Sequence, residues 1–517
     1  MKKFMFLFTI VCTLATQTYC QIDSLMNADP ISSCEHIDYE FDPPQIVSND
    51  EDELFDGYRR LYFIHGLGGN ASSWTNTADA CWNEELNIPG FLARKSFVSR
   101  LDYTHSTNGN LSTAANQIRE LIRNQAQQDI SNYDLDPTKA IIIGHSQGGV
   151  VGRTILHLDA KSNQIFPYFG VGYGGFINVA GPLQGAQILN NRHQIQEFAE
   201  DACRSLSKGP AQDVPIIGKV LKFLDKRYNI TNNVCNVISN NILPVFFSDY
   251  YASITNDYQV GAPFISVLNM DSVYDKYRSI PKISAYAVEE QDNILWRTAN
   301  WLVNDPNDAG YFEANDDWGF YNSTIYPNYL NYQFMFNLYK VKYEYCKEKL
   351  TWGLALFVPW VYWYYAIKAD QHRTQMENWC EGVEWFDSAN SCWLNIIGAL
   401  DVSIIPRDSN YNWSQYGFTQ SELTSITSYC DFPIFPFGPS YTIRIEQKLN
   451  DGIVLAESAA DLTCATHTPI KVFTPKGIYG NSCGSSHMQV RNDRGLKDFL
   501  NSTFNGEYGA FFYTSPK

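Results

Sequence analysis

The chain has 517 residues, of which 15% are aromatic and 18% are charged, and its formal net charge is −17. This composition is typical of a dense globular protein and excludes a disordered chain. The length allows one large enzyme domain with an insertion, and the acidic net charge argues against nucleic acid and anionic membranes as partners.

The first residues combine a basic start with an apolar stretch. Lys2 and Lys3 precede an apolar run from Phe4 to Ala15, and a short polar region follows. We therefore predict a signal peptide over residues 1–20, and a secreted or extracytoplasmic protein without a transmembrane anchor. Loss of the two lysines would change the net charge from −17 to −19. The cysteines that remain are even in number, which in an exported chain indicates disulfide bonds, up to five of them for ten cysteines.

Strand and helix patterns alternate from about residue 58 to 182. We predict strands at Arg60–Ile64 and Ser96–Tyr103, a helix over 112–126 that Ser112 would cap, and a further strand at Gly174–Pro182. Such alternation predicts an α/β fold with a doubly wound, mostly parallel sheet. Because the carboxyl ends of parallel strands meet at one edge, we expect a ligand site at that edge.

A candidate nucleophile lies between two of these elements. Residues 140–149 read AIIIGHSQGG, a buried-strand pattern that breaks at Gly144 and continues as the helix pattern VVGRTILHL. A strand, a sharp turn and a helix around Gly-x-Ser-x-Gly are typical of a nucleophile elbow, which exposes one serine hydroxyl. The glycines are needed there because a Cβ would clash with the neighbouring helix or strand. The chemistry indicated is acyl transfer through Ser146.

The chain carries a second copy of the same spacing. GNSCG at 480–484 also matches Gly-x-Ser-x-Gly, but no strand pattern adjoins it. We therefore interpret Ser482 as part of a structural turn.

Regular alternation is lost near residue 187 and resumes near 440. We predict that 21–187 and 440–517 form the two parts of the core and that 188–439 is an inserted cap or lid. Within it, the apolar and aromatic segment Leu354–Ile367 has three interpretations. We favour a buried cap helix over an interfacial lid segment that meets lipid and over a membrane span, because the segment is short and contains Pro359.

The second part of the core supplies candidates for the base and the acid. A strand from Tyr441 runs into a loop with Asp451, and a last strand at Ile470–Lys476 leads through a loop to His487 and a closing helix over 491–504. His487 is favoured as the base because it follows that strand, and His467, which precedes it, is the alternative.

Asp451 is favoured as the acid, since Gly452 allows a sharp turn after a strand. Glu290 and Asp292, which also follow a strand-like stretch, are alternatives.

The oxyanion donors are expected from backbone N–H groups. In HGLGG at 65–69, the glycines let the chain approach the reacting carbon, so that Leu67 supplies one N–H and Gln147 the other. His65 and His145 are interpreted as structural, with the side chain of His145 pointing away into the sheet.

Together, HGLGG, GHSQGG, NVAGP, NDGIV and the histidine of SHMQ resemble the α/β-hydrolase superfamily, in particular its bacterial-type triacylglycerol lipase and inositol-deacylase-like branch. The resemblance covers roughly 58–190 and 440–505. It implies an α/β-hydrolase fold, with Ser146 as nucleophile, Asp451 as acid, His487 as base, and Leu67 and Gln147 as oxyanion donors. The cap is longer than in simple lipases, and the segment after His487 lacks the acidic pair that helps to place calcium in some of them.

We therefore expect a secreted serine hydrolase of lipase or esterase type that needs no cofactor and no metal. Its expected partner is an ester or lipid substrate, with a lipid interface as one candidate meeting place. An acyltransferase or a thioesterase on the same residues, and a non-catalytic binding protein with a hydrolase fold, are the alternatives.

Overall fold

The computed structural model describes residues 58–82, 96–104, 109–161, 175–208, 249–270, 280–289, 294–303, 325–355, 358–406, 441–462, 469–472, 485–508 and 512–514. The predicted signal peptide at 1–20 lies outside the described residues, and so does Ser482.

Among the described residues, the centre of the molecule is a six-stranded sheet in which every strand is parallel to its neighbours. This arrangement confirms the predicted α/β fold class. In spatial order across the sheet, the strands are β2 (Phe97–Leu101), β1 (Arg60–Ile64), β3 (Ile141–His145), β4 (Gly175–Val179), β5 (Lys282–Ala287) and β8 (Ile470–Val472).

Both faces of this sheet are buried, which explains why its strands read as continuous apolar runs. In β3, Ile142 faces one cluster of apolar side chains, whereas Ile141 and Ile143 face a second cluster on the opposite side. All three isoleucines have no exposed surface. Burial on both faces fixes the sheet between two helical layers and leaves its carboxyl edge to carry the functional groups.

The helices flank the sheet and extend beyond it. They are α1 (Thr75–Trp82), α2 (Leu111–Tyr133), α3 (Gln147–Lys161), α4 (Gln187–Asn190), α5 (Arg192–Lys208), α6 (Asp249–Asn256), α7 (Pro263–Leu268), α8 (Ile294–Val303), α9 (Tyr326–Ala355), α10 (Pro359–Ile396), α11 (Ala456–Ala460) and α12 (Arg494–Phe504).

The predicted cap at Ser112 of helix α2 is wrong. The helix begins one residue earlier, at Leu111, and the side chain of Asn110 accepts a hydrogen bond from the N–H of Thr113 at 2.8 Å. Asparagine satisfies a first-turn N–H as well as serine does, and the carboxylate of Asp257 accepts from the N–H of Leu111 at 2.8 Å. The earlier start therefore satisfies two backbone donors.

Strand β5 comes from the stretch 188–439 that the sequence indicates as a cap. It pairs with β4 on one side and with β8 on the other, so residues 282–287 belong to the main sheet. Strand β7 (Tyr441–Gln447), which the sequence places in the core, instead pairs antiparallel with β6 (Leu400–Pro406) in a separate two-stranded sheet. The chain thus leaves the core after β5 and returns to it after β7.

Helices α9 and α10 form a long antiparallel hairpin between these two points. Close to the core, Trp385 of α10 contacts Phe198 of α5 and Trp296 of α8, with ring centroids 5.7 and 5.9 Å apart. Tyr332 of α9 packs edge-on against Trp379 of α10 at 5.0 Å. Aromatic packing therefore fastens the base of the hairpin to the core.

The far end of the hairpin is not buried where the structure describes it, so the expectation of a buried cap helix at Leu354–Ile367 is wrong for residues 358–367. No described side chain from 358 to 368 is buried, and Trp360 is 74% exposed. In the described part of the chain, no helix combines the length and the apolar character that a membrane crossing requires. Cys346 and Cys392 in this hairpin are free, so the chain does not form all five disulfides that ten cysteines allow.

Candidate active site

Ser146 occupies the sharp turn between β3 and α3 in a left-handed backbone conformation, with φ +55°. Its N–H donates to the carbonyl of Val179 at 3.0 Å, which ties the turn to the neighbouring strand. A Cβ at Gly144 would lie 2.3 Å from the carbonyl oxygen of Gly148, and one at Gly148 would lie 2.4 Å from that of Ile64. Only glycines allow strand and helix to approach so closely, as the sequence predicts.

His487 lies directly against this serine. Its Nε2 is 2.8 Å from Ser146 Oγ, and the side chain is almost fully buried. The N–H of Ser485, two residues earlier, donates to the carbonyl of Val288 at the end of β5. The histidine loop is therefore anchored to the carboxyl edge of the sheet.

Asp451 orients the histidine ring from its other side. Its Oδ2 is 2.7 Å from His487 Nδ1, while its Oδ1 accepts from the N–H groups of Ile453 at 3.1 Å and Val454 at 2.7 Å. Gly452, at φ +94°, allows the chain to turn so that these donors face the carboxylate. The carboxylate is held by backbone groups and directs one oxygen to the ring, which keeps a proton on Nδ1 and leaves Nε2 as acceptor.

The turn that carries Asp451 adjoins β5 although more than 160 residues separate them. The N–H of Glu289, two residues after β5, donates to the carbonyl of Asn450 at 2.8 Å. Glu289 forms an ion pair with Arg297 of α8, and neither side chain has exposed surface. The two ends of the insertion between β5 and the acid turn therefore lie side by side, and the carboxylate of Asp451 is placed near the end of β5.

Helix α10 also supports this turn. Trp393 Nε1 donates to the carbonyl of Gly452 at 2.8 Å, and Trp393 has no exposed surface. A Cβ at Gly452 would lie 2.1 Å from Thr298 Oγ1 of α8. The acid turn is thus enclosed by two helices of the segment that the sequence assigns to a cap.

The predicted oxyanion donors lie in the loop after β1, at Leu67, and at the start of helix α3, at Gln147. Gly66 packs against the serine so closely that a Cβ there would lie 2.9 Å from Ser146 Cβ, and Leu67 follows it in the loop after β1. Gln147 is the first residue of α3, where backbone N–H groups point out of the helix end. Both N–H groups thus come from segments that meet at the nucleophile.

The interpretation of His65 as a structural residue fits its contacts. Its Nδ1 lies 2.8 Å from the carbonyl of Gly66, its Nε2 lies 2.8 Å from Asp102, and its ring stacks on Tyr103 at 4.3 Å. Burial lowers the pKa of His65, which favours the neutral ring.

The expected direction of the His145 side chain is wrong. The side chain reaches the histidine loop, where its Nε2 lies 2.9 Å from the carbonyl oxygen of His487. Burial, and then the neighbouring His487 and Arg491, hold the pKa of His145 well below its ordinary value. A neutral His145 that donates from Nε2 therefore supports the backbone of the candidate base.

Two tyrosines near the oxyanion loop, Tyr103 and Tyr258, were not predicted from the sequence. The hydroxyl of Tyr103 donates to Gln147 Oε1 at 2.7 Å, and Gln147 Nε2 lies 3.2 Å from the hydroxyl of Tyr258. Burial raises the pKa of Tyr258, so its hydroxyl stays protonated. The position of Tyr103 just after β2 is a signal that could have identified it, whereas the approach of Tyr258 depends on tertiary packing.

The alternative candidates lie outside the described residues: His467 for the base, and Glu290 and Asp292 for the acid. Among the residues that the structure describes, no group of three or more His, Cys, Asp and Glu side chains could hold a metal ion.

Comparison with known proteins identifies the fold. Residues 59–211 match the model of a family described as PGAP1-like alpha/beta domain. The chain therefore has an α/β-hydrolase fold, and the match to this family covers less than a third of its length. The matched segment carries four strands of the sheet and Ser146, and thus the first half of the hydrolase core.

Solved α/β-hydrolases show similarity over less than half of this chain. Phospholipase PlaB from Legionella pneumophila is 10% identical, with 45% of this chain and 40% of that chain covered, at a TM-score of 0.28. An extracellular α/β-hydrolase from a Paenibacillus species is 16% identical, with 44% of this chain and 77% of that chain covered, at a TM-score of 0.22. The peroxisomal α/β-hydrolase Lpx1 from Saccharomyces cerevisiae is 12% identical, with 45% of this chain and 62% of that chain covered, at a TM-score of 0.23.

Proposed function

We propose that the chain is a secreted serine hydrolase that cleaves carboxylic esters through an acyl-Ser146 intermediate. The observation that carries this proposal is the continuous hydrogen-bonded series from Ser146 Oγ through His487 to Asp451, with distances of 2.8 and 2.7 Å. A nucleophile, a base and an orienting acid at hydrogen-bond distance are the arrangement that acyl transfer needs.

In the first step, Ser146 Oγ attacks the ester carbonyl carbon while His487 Nε2 accepts the serine proton. The negative charge that develops on the carbonyl oxygen is stabilised by the N–H groups of Leu67 and Gln147. The bond from carbon to the alcohol oxygen then breaks, and His487 returns the proton to the departing alkoxide. Asp451 stabilises the charged imidazole between these two transfers, because its carboxylate accepts the hydrogen bond from the Nδ1–H of His487.

In the second step, water hydrolyses the acyl-serine. His487 accepts a proton from the water as the water oxygen attacks the acyl carbon, and it then donates that proton to Ser146 Oγ as the acid departs. The enzyme returns to its starting state, and the net reaction consumes one water for each ester bond. An alcohol or thiol acceptor in place of water would give the transferase alternative, and a thioester substrate the thioesterase alternative.

The test compares covalent labelling and turnover. The secreted protein is incubated with a fluorophosphonate probe and with p-nitrophenyl esters of several chain lengths. We expect labelling and hydrolysis in the wild type and loss of both in Ser146→Ala. Ser482→Ala is the matched control, because it removes the same hydroxyl from the second Gly-x-Ser-x-Gly and should leave both signals unchanged. A wild-type protein that neither labels nor hydrolyses any ester would overturn the proposal in favour of a binding protein.

The roles of the base and the acid are tested by pairs of variants. His487→Ala should abolish turnover, whereas His467→Ala should not. Asp451→Asn should reduce kcat strongly, while Glu290→Gln and Asp292→Asn should have little effect. A larger loss in any of the alternative variants would transfer the role to that residue.

A further inference from the structure

We propose that the far end of the α9–α10 hairpin docks on a phospholipid surface that contains anionic headgroups. This end, called the aromatic tip below, consists of the five exposed side chains Trp352, Trp360, Trp363, Tyr364 and Ile367. The proposal deepens the proposed function by naming the source of the substrate, but the docking itself does not rest on catalysis.

The aromatic tip is the most exposed apolar region that the structure describes. Its members have between 56% and 74% of their surface exposed, and they exceed every other exposed large apolar side chain among the described residues. Soluble proteins expose single apolar side chains commonly, but a contiguous group of large aromatic ones marks an interaction site. Burying each tryptophan on a partner would remove an unfavourable contact with water.

The chemistry of the aromatic tip favours lipid over protein. Residues 350–367 contain no charged side chain, and tryptophan and tyrosine together make up six of the residues from 352 to 365. These two side chains concentrate at the boundary between headgroups and acyl chains, because an apolar ring and a polar N–H or O–H suit that boundary. A charge-free end rich in both residues therefore matches a membrane interface.

Lysines surround the aromatic tip on the side towards the core. This lysine collar consists of Lys340, Lys342, Lys347, Lys349 and Lys368, and it outnumbers the two glutamates of 340–368. Lys347 and Lys349 lie over the rings of Tyr343 and Tyr345, at 5.9 and 5.2 Å from the ring centroids. Their Nζ atoms thus lie close to aromatic rings, and Lys349 Nζ is also 3.9 Å from Glu348 Oε1. Lys347 is exposed and Lys349 is partly exposed, so both ammonium groups can still reach phosphate headgroups.

The acidic net charge of the chain does not cancel this local charge. About 37 Å of helix separate Trp360 from Trp385, the residue that packs on the core. The Debye length at physiological ionic strength is only about 8 Å, so charges on the core are screened at the aromatic tip. Net charge alone argues against an anionic membrane, but the lysine collar sets the field where the contact would form.

The same helix connects the aromatic tip to the candidate active site. Helix α10 continues from Pro359 to Ile396, and its Trp393 donates to the carbonyl of Gly452 beside Asp451. Docking of the aromatic tip would therefore hold the hydrolase core at a defined distance from the lipid surface, with one rigid element between them.

The test measures vesicle binding by flotation, with the full chain and in a Ser146→Ala background so that no lipid is hydrolysed. The vesicles contain phosphatidylcholine alone or phosphatidylcholine mixed with phosphatidylserine. We expect binding to the mixed vesicles that weakens with salt, and a loss of about tenfold or more in Trp360→Ala/Trp363→Ala. Leu121→Ala/Ile130→Ala is the matched control, because it removes two exposed apolar side chains from α2, and it should bind like the parent.

A second pair of variants tests the lysine collar. Lys347→Gln and Lys349→Gln should each weaken binding to mixed vesicles by about fivefold, with little effect on neutral vesicles. Lys448→Gln, which changes an exposed lysine after β7, should have no effect. Thermal unfolding of each variant should match the parent, because the altered side chains are not buried.

Three outcomes would overturn the proposal. The parent protein would fail to float with mixed vesicles, or the tryptophan variant would bind as well as the parent. In the third outcome, the protein would be a dimer that the tryptophan variant dissociates without a change in vesicle binding, so that the aromatic tip contacts a second copy. Vesicle binding by a protein that the fluorophosphonate probe does not label would refute the hydrolase proposal alone.

Discussion

Replacement of Trp393 by phenylalanine should disturb the candidate acid turn, which Trp393 contacts from helix α10. The indole N–H donates to the carbonyl of Gly452 at 2.8 Å, and the side chain is fully buried. Gly452 in turn follows Asp451, whose carboxylate orients His487. Trp393→Phe removes this donor and part of the ring, but it leaves the charges of the site unchanged.

The expected loss has two parts. Loss of part of a buried ring leaves a cavity, which costs a few kcal/mol of unfolding free energy. The carbonyl of Gly452 also loses a buried donor, which costs about 1–3 kcal/mol more. Trp385→Phe isolates the second part, because Trp385 lies in the same helix and is 6% exposed, and its Nε1 has no hydrogen-bond partner in the described structure.

Chemical denaturation and ester hydrolysis measure the two variants side by side. We expect Trp393→Phe to be less stable than Trp385→Phe by about 1–3 kcal/mol, and its kcat to fall by about tenfold if 1.4 kcal/mol of orientation is lost in the transition state. KM should change little, because Asp451 contacts the ring of His487 and we expect it to act through that ring. Equal losses of stability and of kcat in the two variants would refute the view that this hydrogen bond positions the acid.

Three further outcomes follow from the geometry. Asp451→Asn should lower kcat by about 10³- to 10⁴-fold with little change in KM, measured by steady-state kinetics, because an amide does not hold the same protonated form of the base. Gly66→Ala should lower kcat strongly while it changes the melting temperature little, because the new methyl group would lie 2.9 Å from Ser146 Cβ. Stability should fall as the pH drops below about 6.5, because burial lowers the pKa of His65 and His145 and the unfolded chain then binds protons that the folded chain does not. Urea titrations at pH 8 and pH 5 measure this loss of unfolding free energy. His145→Gln should lose less unfolding free energy between the two pH values than the wild type does, and an equal loss in both proteins would contradict this account.

The first half of the core was predictable because its signals are local. Strand Arg60–Ile64 has the predicted bounds, and Ile141–His145 leads into the turn at Ser146 as the residues indicate. A strand buried on both faces needs a continuous apolar run, and a turn with so little space needs glycines. Both requirements appear within about ten residues of sequence.

The second half was less predictable because its partners are distant along the chain. Strand β5 lies within a long irregular stretch, and only its pairing with β4 and β8 identifies it as part of the sheet. The exposure of Trp360 was also misjudged, since an apolar helix has the same composition whether its neighbours cover it or not.

By itself, the sequence determined the fold class, the elbow at Ser146 and the small set of residues from which a base and an acid could come. The tertiary structure decided which members of that set meet. His487 lies against Ser146 and Asp451 lies against His487, because Ser485 and Asn450 form backbone hydrogen bonds with the residues that follow β5. It also decided that the apolar end of the hairpin faces outward. Local patterns specify strands, turns and helix faces, whereas the approach of residues hundreds of positions apart depends on how the whole chain packs.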